Sequence, residues 1–203
     1  MDRTVCGGLP ILNIIKRDMI GGEIIEFQGV FNATSNFVID AIADGSCSCV
    51  QEAIEIAQKV GAAEADPSLD IGGWDTAFKL LIIVNTILIN TNTNTKTNKM
   101  IKLQDINVEG VDHVTRDMIQ TCAKAGKVIK LVATATMKHN NTTFSVQPVE
   151  IEADTFLGSI QGWEMGIEIN SDIYGKSCYK LFEKEPIPTA ASMMRDALNI
   201  FLV

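Results

Sequence analysis

Apolar and polar positions along this chain follow two rhythms, a period of two and a period near 3.6, which separates candidate strands from candidate helices. Gly7-Gly8-Leu9-Pro10 reads as a turn leading into a helix with proline in its first turn. From Glu23 to Phe31 apolar and polar residues alternate, predicting a strand. Asn36 to Asp44 predicts a short helix ended by Gly45. Another begins at Ser48, where Ser48 and Gln51 have the spacing of a capping box, keeps Val50, Ile54, Ala57 and Val60 on one face, and stops at Gly61. Asp70 or Gly72 opens a helix running to about Asn90. Its apolar residues, Leu80 to Val84 and Ile87 to Ile89, cover nearly the whole circumference, as in a helix at the centre of a fold.

Beyond it, residues 91–99 form a polar, low-complexity loop. Thr115 to Ala125 predicts a helix capped by Thr115 and closed by Gly126. Val128–Met137 and Thr143–Ile151 are β-rich runs joined by a hairpin at Lys138–Asn141, and Glu164–Ser171 with Ser177–Phe182 make a second pair around Asp172–Gly175. A helix over 188–202, with Ala190, Met193, Met194, Ala197, Leu198 and Phe201 as its apolar face, closes the chain. Hairpins and separate helices together predict a single α+β domain over 1–203: a largely antiparallel or mixed sheet with helices on one face.

Composition narrows the function classes. The chain has 203 residues, enough for a sizeable core, with 46% hydrophobic and 21% charged residues. A net charge of −8 without any Lys/Arg cluster argues against nucleic acid and anionic membrane surfaces. The longest apolar stretch, Phe78–Ile89, carries Lys79, Asn85 and Thr86 and is too short to span a bilayer. No signal-peptide pattern occupies the N-terminus. The five cysteines include Cys47-Ser-Cys49, but two thiols do not complete a zinc site, and the two histidines, His113 and His139, are far apart. Buried or incidental thiols in a cytosolic protein are the expectation.

The candidate chemistry lies between Gly61 and Lys79. Glu64, Asp66, Asp70, Asp75 and Lys79 sit in a Gly/Pro-bounded loop running straight into the most apolar helix. Most have an ordinary structural role available, Glu64 least of all, since it follows a helix stop inside a small-residue loop. Asp75 and Lys79 could be a surface i,i+4 pair worth about 0.3–0.5 kcal/mol. Asp70 could be a helix cap, and Asp66-Pro67 could start a turn. Together, however, they place charge where unpaired charge is expensive, and carboxylates with a cation suit an amino-acid substrate. A lysine beside a carboxylate, partly desolvated, can be tuned to move a hydroxyl proton. Thr34, in Asn32-Ala-Thr-Ser-Asn36, offers a hydroxyl and backbone N–H groups, for a cap or for a ligand.

Segments in order along the chain resemble homoserine dehydrogenases: Thr4-Val-Cys-Gly-Gly-Leu-Pro10, Gly29-Val-Phe-Asn-Ala-Thr-Ser-Asn36, Glu52 through Lys79, Ile106-Asn-Val-Glu-Gly-Val111 with Thr115, Ile129-Lys-Leu-Val-Ala133 and Pro188-Thr-Ala-Ala-Ser192. The resemblance implies the substrate-binding and dimerisation part of such an enzyme, interconverting L-homoserine and L-aspartate 4-semialdehyde with NAD(P), and dimerising through the sheet side. It makes Lys79 the catalytic lysine and Asp75 its companion. Glu64 and Asp70 would contact the substrate, with Thr34, Gly61 and Ala62 lining the site. Val5 and Gly7 would lend carbonyls to a sodium ion, with Asp2 standing where a glutamate ligand is usual. The chain carries no strand followed by GxGxxG, so the dinucleotide domain, of about 100–150 residues, is expected outside it, as a fused domain or a separate Rossmann subunit. Phe182-Glu-Lys-Glu-Pro186 replaces the family's glycine-rich loop, and its acidic residues do not suit a phosphate-bearing cofactor. No confident cofactor-binding residue is expected here. The alternatives are a stand-alone amino-acid-binding module and a purely structural dimerisation domain.

Overall fold

A computed structural model describes residues 5–90, 100–138 and 141–201; the predicted loop over 91–99 lies outside the described residues. The fold is α+β, with a six-stranded sheet in the order β2-β4-β3-β1-β5-β6. Strands β1 (Ile24–Val30), β3 (Lys127–Lys138), β4 (Asn141–Glu152), β5 (Glu164–Ser171) and β6 (Gly175–Phe182) pair antiparallel. The short edge strand β2 (Asn107–Val108) runs parallel to β4, placing Val108 opposite Val146, and makes the sheet mixed. Two residues are too few for a period-two signal, so the sequence pattern gives no hint of it. Strand β1 is central: Phe27 lies opposite Ala135 on one side and Ile169 on the other.

The helices are α1 (Ile11–Asn13, continuing as a π-helical Ile14–Asp18), α2 (Ala33–Ala43), α3 (Val50–Val60), α4 (Ser68–Ile71), α5 (Trp74–Asn90), α6 (Arg116–Lys124) and α7 (Ile187–Phe201). Several depart from the sequence reading. Helix α2 begins three residues early because Asn32, not a residue nearer Asn36, is its N-cap. The expected Ser48/Gln51 box is absent. The N-cap of α3 is Cys49, and Glu52 instead reaches back to accept the Ser48 N–H at 2.7 Å. The helix expected from Asp70 to Asn90 is split by the turn at Gly72–Gly73 into α4 and α5. The segment before Asp112 packs directly on that turn, where a Cβ on Gly110 would fall 2.5 Å from the Ile71 carbonyl oxygen. Only glycine permits that approach.

Helix α5 buries one stripe, Ala77, Leu80, Ile83, Val84 and Ile87, in the same core cluster as Phe27, Leu131, Ala133, Ala135, Ile167 and Ile169 of the sheet. Burying each large member contributes about 1.5–3 kcal/mol. Its opposite side leaves Trp74, Phe78 and Ile89 largely exposed, so the helix is apolar all round without being covered all round. The same inversion holds for α7. Met194, Leu198, Ile200 and Phe201, at 49–82% exposure, face outward, and the helix's buried residue is Ser192.

Helix α2 is tied to the sheet by a buried charge. The Lys130 Nζ on β3, only 2% exposed, donates to Asn36 Oδ1 and Asp40 Oδ1, both at 2.8 Å. Asp40 Oδ2 accepts the Gly162 N–H at 2.6 Å. A lysine so buried is held by its partners, and removing it strands Asp40. Lys130→Met is expected to lower stability by roughly 3–5 kcal/mol in urea denaturation, whereas Lys127→Met, in a looser and more exposed pairing, is expected to cost under about 1 kcal/mol.

Candidate functional site

Strand β1 ends at Val30, and the next two residues build the floor of a polar cluster. Asn32 is extended (φ −130°, ψ 112°), and its Oδ1 accepts the Ser35 N–H at 2.7 Å, capping α2. Its Nδ2 donates to Asp70 Oδ1 at 2.5 Å and to Asp75 Oδ2 at 2.8 Å. Asp70 is on α4 and Asp75 in the first turn of α5, so one amide joins three elements. Lys79, one turn along α5, places Nζ 2.6 Å from Asp75 Oδ2 and donates to the Phe31 carbonyl at 2.8 Å. Its side chain is 15% exposed and turned inward rather than into bulk water.

Thr34 donates its hydroxyl proton to the Ala62 carbonyl at 2.7 Å, stapling the first turn of α2 to the loop after α3. It is not the cap; Asn32 has that role. Gly61 closes α3, and Ala62 behind it is buried. Thr34, Gly61 and Ala62 thus adjoin the cluster through one bond. Glu64 is exposed, and its backbone carbonyl accepts from Gln58 Nε2 at 3.1 Å. Asp66 is separate: its carboxylate accepts the Ser68 N–H at 3.1 Å, the bond of a local turn. Two of the five polar side chains between 64 and 79 therefore bond to Asn32, and a third, Lys79, joins them through Asp75. Sequence reading missed Asn32 itself and the Phe31 carbonyl; an asparagine between a strand and a helix was the available signal.

Burial is the largest influence on Asp70 and raises its pKa above the ordinary 3.8. The Asn32 hydrogen bond and Lys79 pull it back, while Asp75 and Glu64 push it further up. Cys6, buried with φ 57°, has its thiol pushed up to about 12 by burial, with Lys79, Asp75 and Glu183 as the charges within reach. It remains a neutral thiol at physiological pH and is not a nucleophile.

Val5 and Gly7 lie on this same first turn, whereas Asp2 is outside the described residues. No group of three His, Cys, Asp or Glu that could hold a metal occurs among the described residues. Cys47 is buried and Cys49 exposed, both as free thiols. The turn is engaged elsewhere: Glu183 Oε2 accepts the Gly8 N–H at 2.8 Å, and Oε1 accepts the Thr189 N–H at 2.9 Å and the Thr189 hydroxyl proton. A Cβ on Gly7 would overlap that carboxylate. The first turn of α7, an anion-accepting position, is thus filled by the chain's own glutamate and does not fit a cofactor phosphate.

A model of the homoserine dehydrogenase family matches residues 10–198. The chain belongs to the homoserine dehydrogenase family. It is 28% identical over 199 residues to the homoserine dehydrogenase of Helicobacter pylori, covering 98% of this chain and 45% of that protein. It is 27% identical over 198 residues to the NAD(+)-dependent homoserine dehydrogenase of Pseudomonas canavaninivorans, covering 97% of this chain and 53% of that protein. The crystal structure of a homoserine dehydrogenase from Thiobacillus denitrificans superimposes with a TM-score of 0.87 at 25% identity, covering 98% of this chain and 44% of that one. The chain thus spans about half the length of these family members.

The raised proton affinity of Asp70 has a measurable sign. Native Asp70 binds its proton more tightly than in the unfolded chain, so the cost of ionising it is fully present above the folded pKa. That cost disappears as pH falls toward 3.8. Asp70→Asn, which keeps an acceptor for Asn32, is expected to raise the thermal midpoint at pH 7 and to lose that advantage at about pH 3. Equal midpoints at pH 7 would contradict a desolvated carboxylate.

Proposed function

We propose that this chain is the substrate-binding part of a homoserine dehydrogenase, interconverting L-homoserine and L-aspartate 4-semialdehyde, with NAD(P) bound by a dinucleotide-binding domain outside it. The observation that carries this reading is the Lys79 ammonium: two of its protons go to Asp75 and Phe31, leaving a third for a ligand. NAD(P) supplies the two-electron acceptor or donor, exchanging a hydride with the substrate carbon. In the reducing direction Lys79 gives a proton to the carbonyl oxygen as it becomes a hydroxyl; in the oxidising direction it takes that proton back. Asp75 holds Nζ in place and stabilises its charge.

Asp70 and Glu64 are suited to the substrate's ammonium. The N–H groups of Ala33 and Thr34, in the first turn of α2, suit its carboxylate, with Gly61 and Ala62 along the wall. The family match and the NAD(+)-dependent relative support this assignment.

The outward apolar residues of α5 and α7 support a partner in contact with them, either a fused domain or a separate Rossmann subunit. A homodimer through the sheet side would cover its second face. An occupied sodium site near Val5 and Gly7 remains what the resemblance implies. No helix among the described residues is long and apolar enough to cross a membrane, and the cysteines are free, which accords with a cytoplasmic setting.

In the chain complemented with its dinucleotide-binding domain, Lys79→Ala is expected to cut turnover by about 100-fold or more while L-homoserine still binds and oligomer mass is unchanged. Near-normal turnover would refute the role given to Lys79. L-Homoserine binding without turnover in any mixture would make the chain a binding module instead.

A further inference from the structure

We infer that Asn32 is a positioning residue: its amide, wedged between Asp70 and Asp75, keeps the two carboxylates apart as separate charges and turns one oxygen of Asp75 toward Lys79. The catalytic part of this inference rests on the homoserine reading; the electrostatic part does not.

Every polar atom of the Asn32 side chain is committed. Oδ1 accepts from Ser35, and each Nδ2 proton goes to a different carboxylate. The residue is 5% exposed. Buried, with both donors spent, Asn32 acts on a ligand through its neighbours. The two protons of an sp² amide diverge by about 120°, which sets the accepting oxygens of Asp70 and Asp75 on the order of 4–5 Å apart. Carboxylates that close, half-buried and without a donor between them, tend to share a proton. The amide supplies a donor to each.

Residue type sharpens the point. Ser, Thr and Asp cap helices about as well as Asn. Among them only Asn can cap with its oxygen and also donate two hydrogen bonds. The need at position 32 is therefore for the donors, not the cap. Asp75 Oδ2, which takes one of these bonds, is the oxygen that holds Lys79, and the second anchor of Lys79 is the carbonyl just before Asn32. The charged groups around the amide are Asp70 on α4 and Asp75 and Lys79 on α5, while Glu64 after α3 acts on Asp70 only as a more distant charge. The buried, uncharged Cys6 thiol is within electrostatic reach of Lys79, Asp75 and Glu183.

The test uses Asn32→Asp and Asn32→Ser, which both retain a capping oxygen; thermal melts establish that each folds. Aspartate carboxyl carbons are titrated by NMR on the chain without any ligand, and the pH dependence of turnover is followed in the complemented enzyme. With Asn32→Asp, at least one carboxyl midpoint among Asp70, Asp75 and residue 32 is expected to lie more than one pH unit above the wild-type Asp70 midpoint, and the acidic limb of the rate profile is expected to move with it. With Asn32→Ser, which adds no charge, the Asp70 midpoint is expected to rise by a smaller amount, and kcat is expected to fall at least tenfold with KM changed less than threefold. Wild-type carboxyl titration and an unmoved pH profile in both variants would show that Asn32 merely caps α2 and would overturn the inference. If wild-type chain fails to bind L-homoserine while the NMR shifts appear, the substrate assignment fails and the electrostatic role of Asn32 stands.

Discussion

One amide holding two carboxylates at the mouth of an apolar helix layer is the constraint around which this site is built. Helix α5 enters the core within a turn of Asp75, so the charges at its start have little water to solvate them. The chain meets that cost locally. Asn32 donates to Asp70 and Asp75, Asp75 pairs with Lys79, and Lys79 is anchored on the Phe31 carbonyl. These groups come from β1–α2, α4 and α5, so the cluster forms only when those elements have docked. Its geometry therefore reports on the fold, and the fold on it. The buried Lys130–Asp40–Asn36 group, at the other end of the α2 N-terminal turns, fixes the same helix to the sheet.

Much of this was legible in residue order. The i,i+4 spacing of Asp75 and Lys79, the glycine after α3 and the hairpin runs of β3–β4 and β5–β6 are local signals, and local signals survive into the structure. The parallel edge strand β2, the split between α4 and α5 and the burial of Lys130 are not local. Each is decided by a contact with a distant segment: β4 for β2, Gly110 for the α4–α5 turn, and α2 for Lys130. Asn32 falls between these cases. Its position at a strand-to-helix turn announces a cap, but nothing in the sequence shows that its amide protons are claimed by residues 38 and 43 positions away. The converse error was to gather all five polar residues of the loop, since Asp66 closes its own turn.

Two features set this chain beside its relatives rather than on top of them. It spans about half their length, and α5 and α7 turn apolar residues outward. The apolar face of α7 was read correctly as a face but not as an outward one, because periodicity identifies a stripe and not what packs on it. The Glu183 carboxylate, bound by Gly8 and Thr189, occupies the start of α7 with an internal anion. A phosphate at that turn would have to displace a group that already satisfies those donors.

The central proposal is that Asn32, Asp70, Asp75 and Lys79, with Thr34 and the loop from Gly61, bind a small amino acid bearing a hydroxyl or aldehyde. Mapping backbone amide shifts of the chain during titration with L-homoserine tests this most directly. The account predicts saturable shifts concentrated at residues 31–36, 61–70 and 74–80. Absence of saturable shifts, or shifts centred on the sheet or on α6, would contradict it.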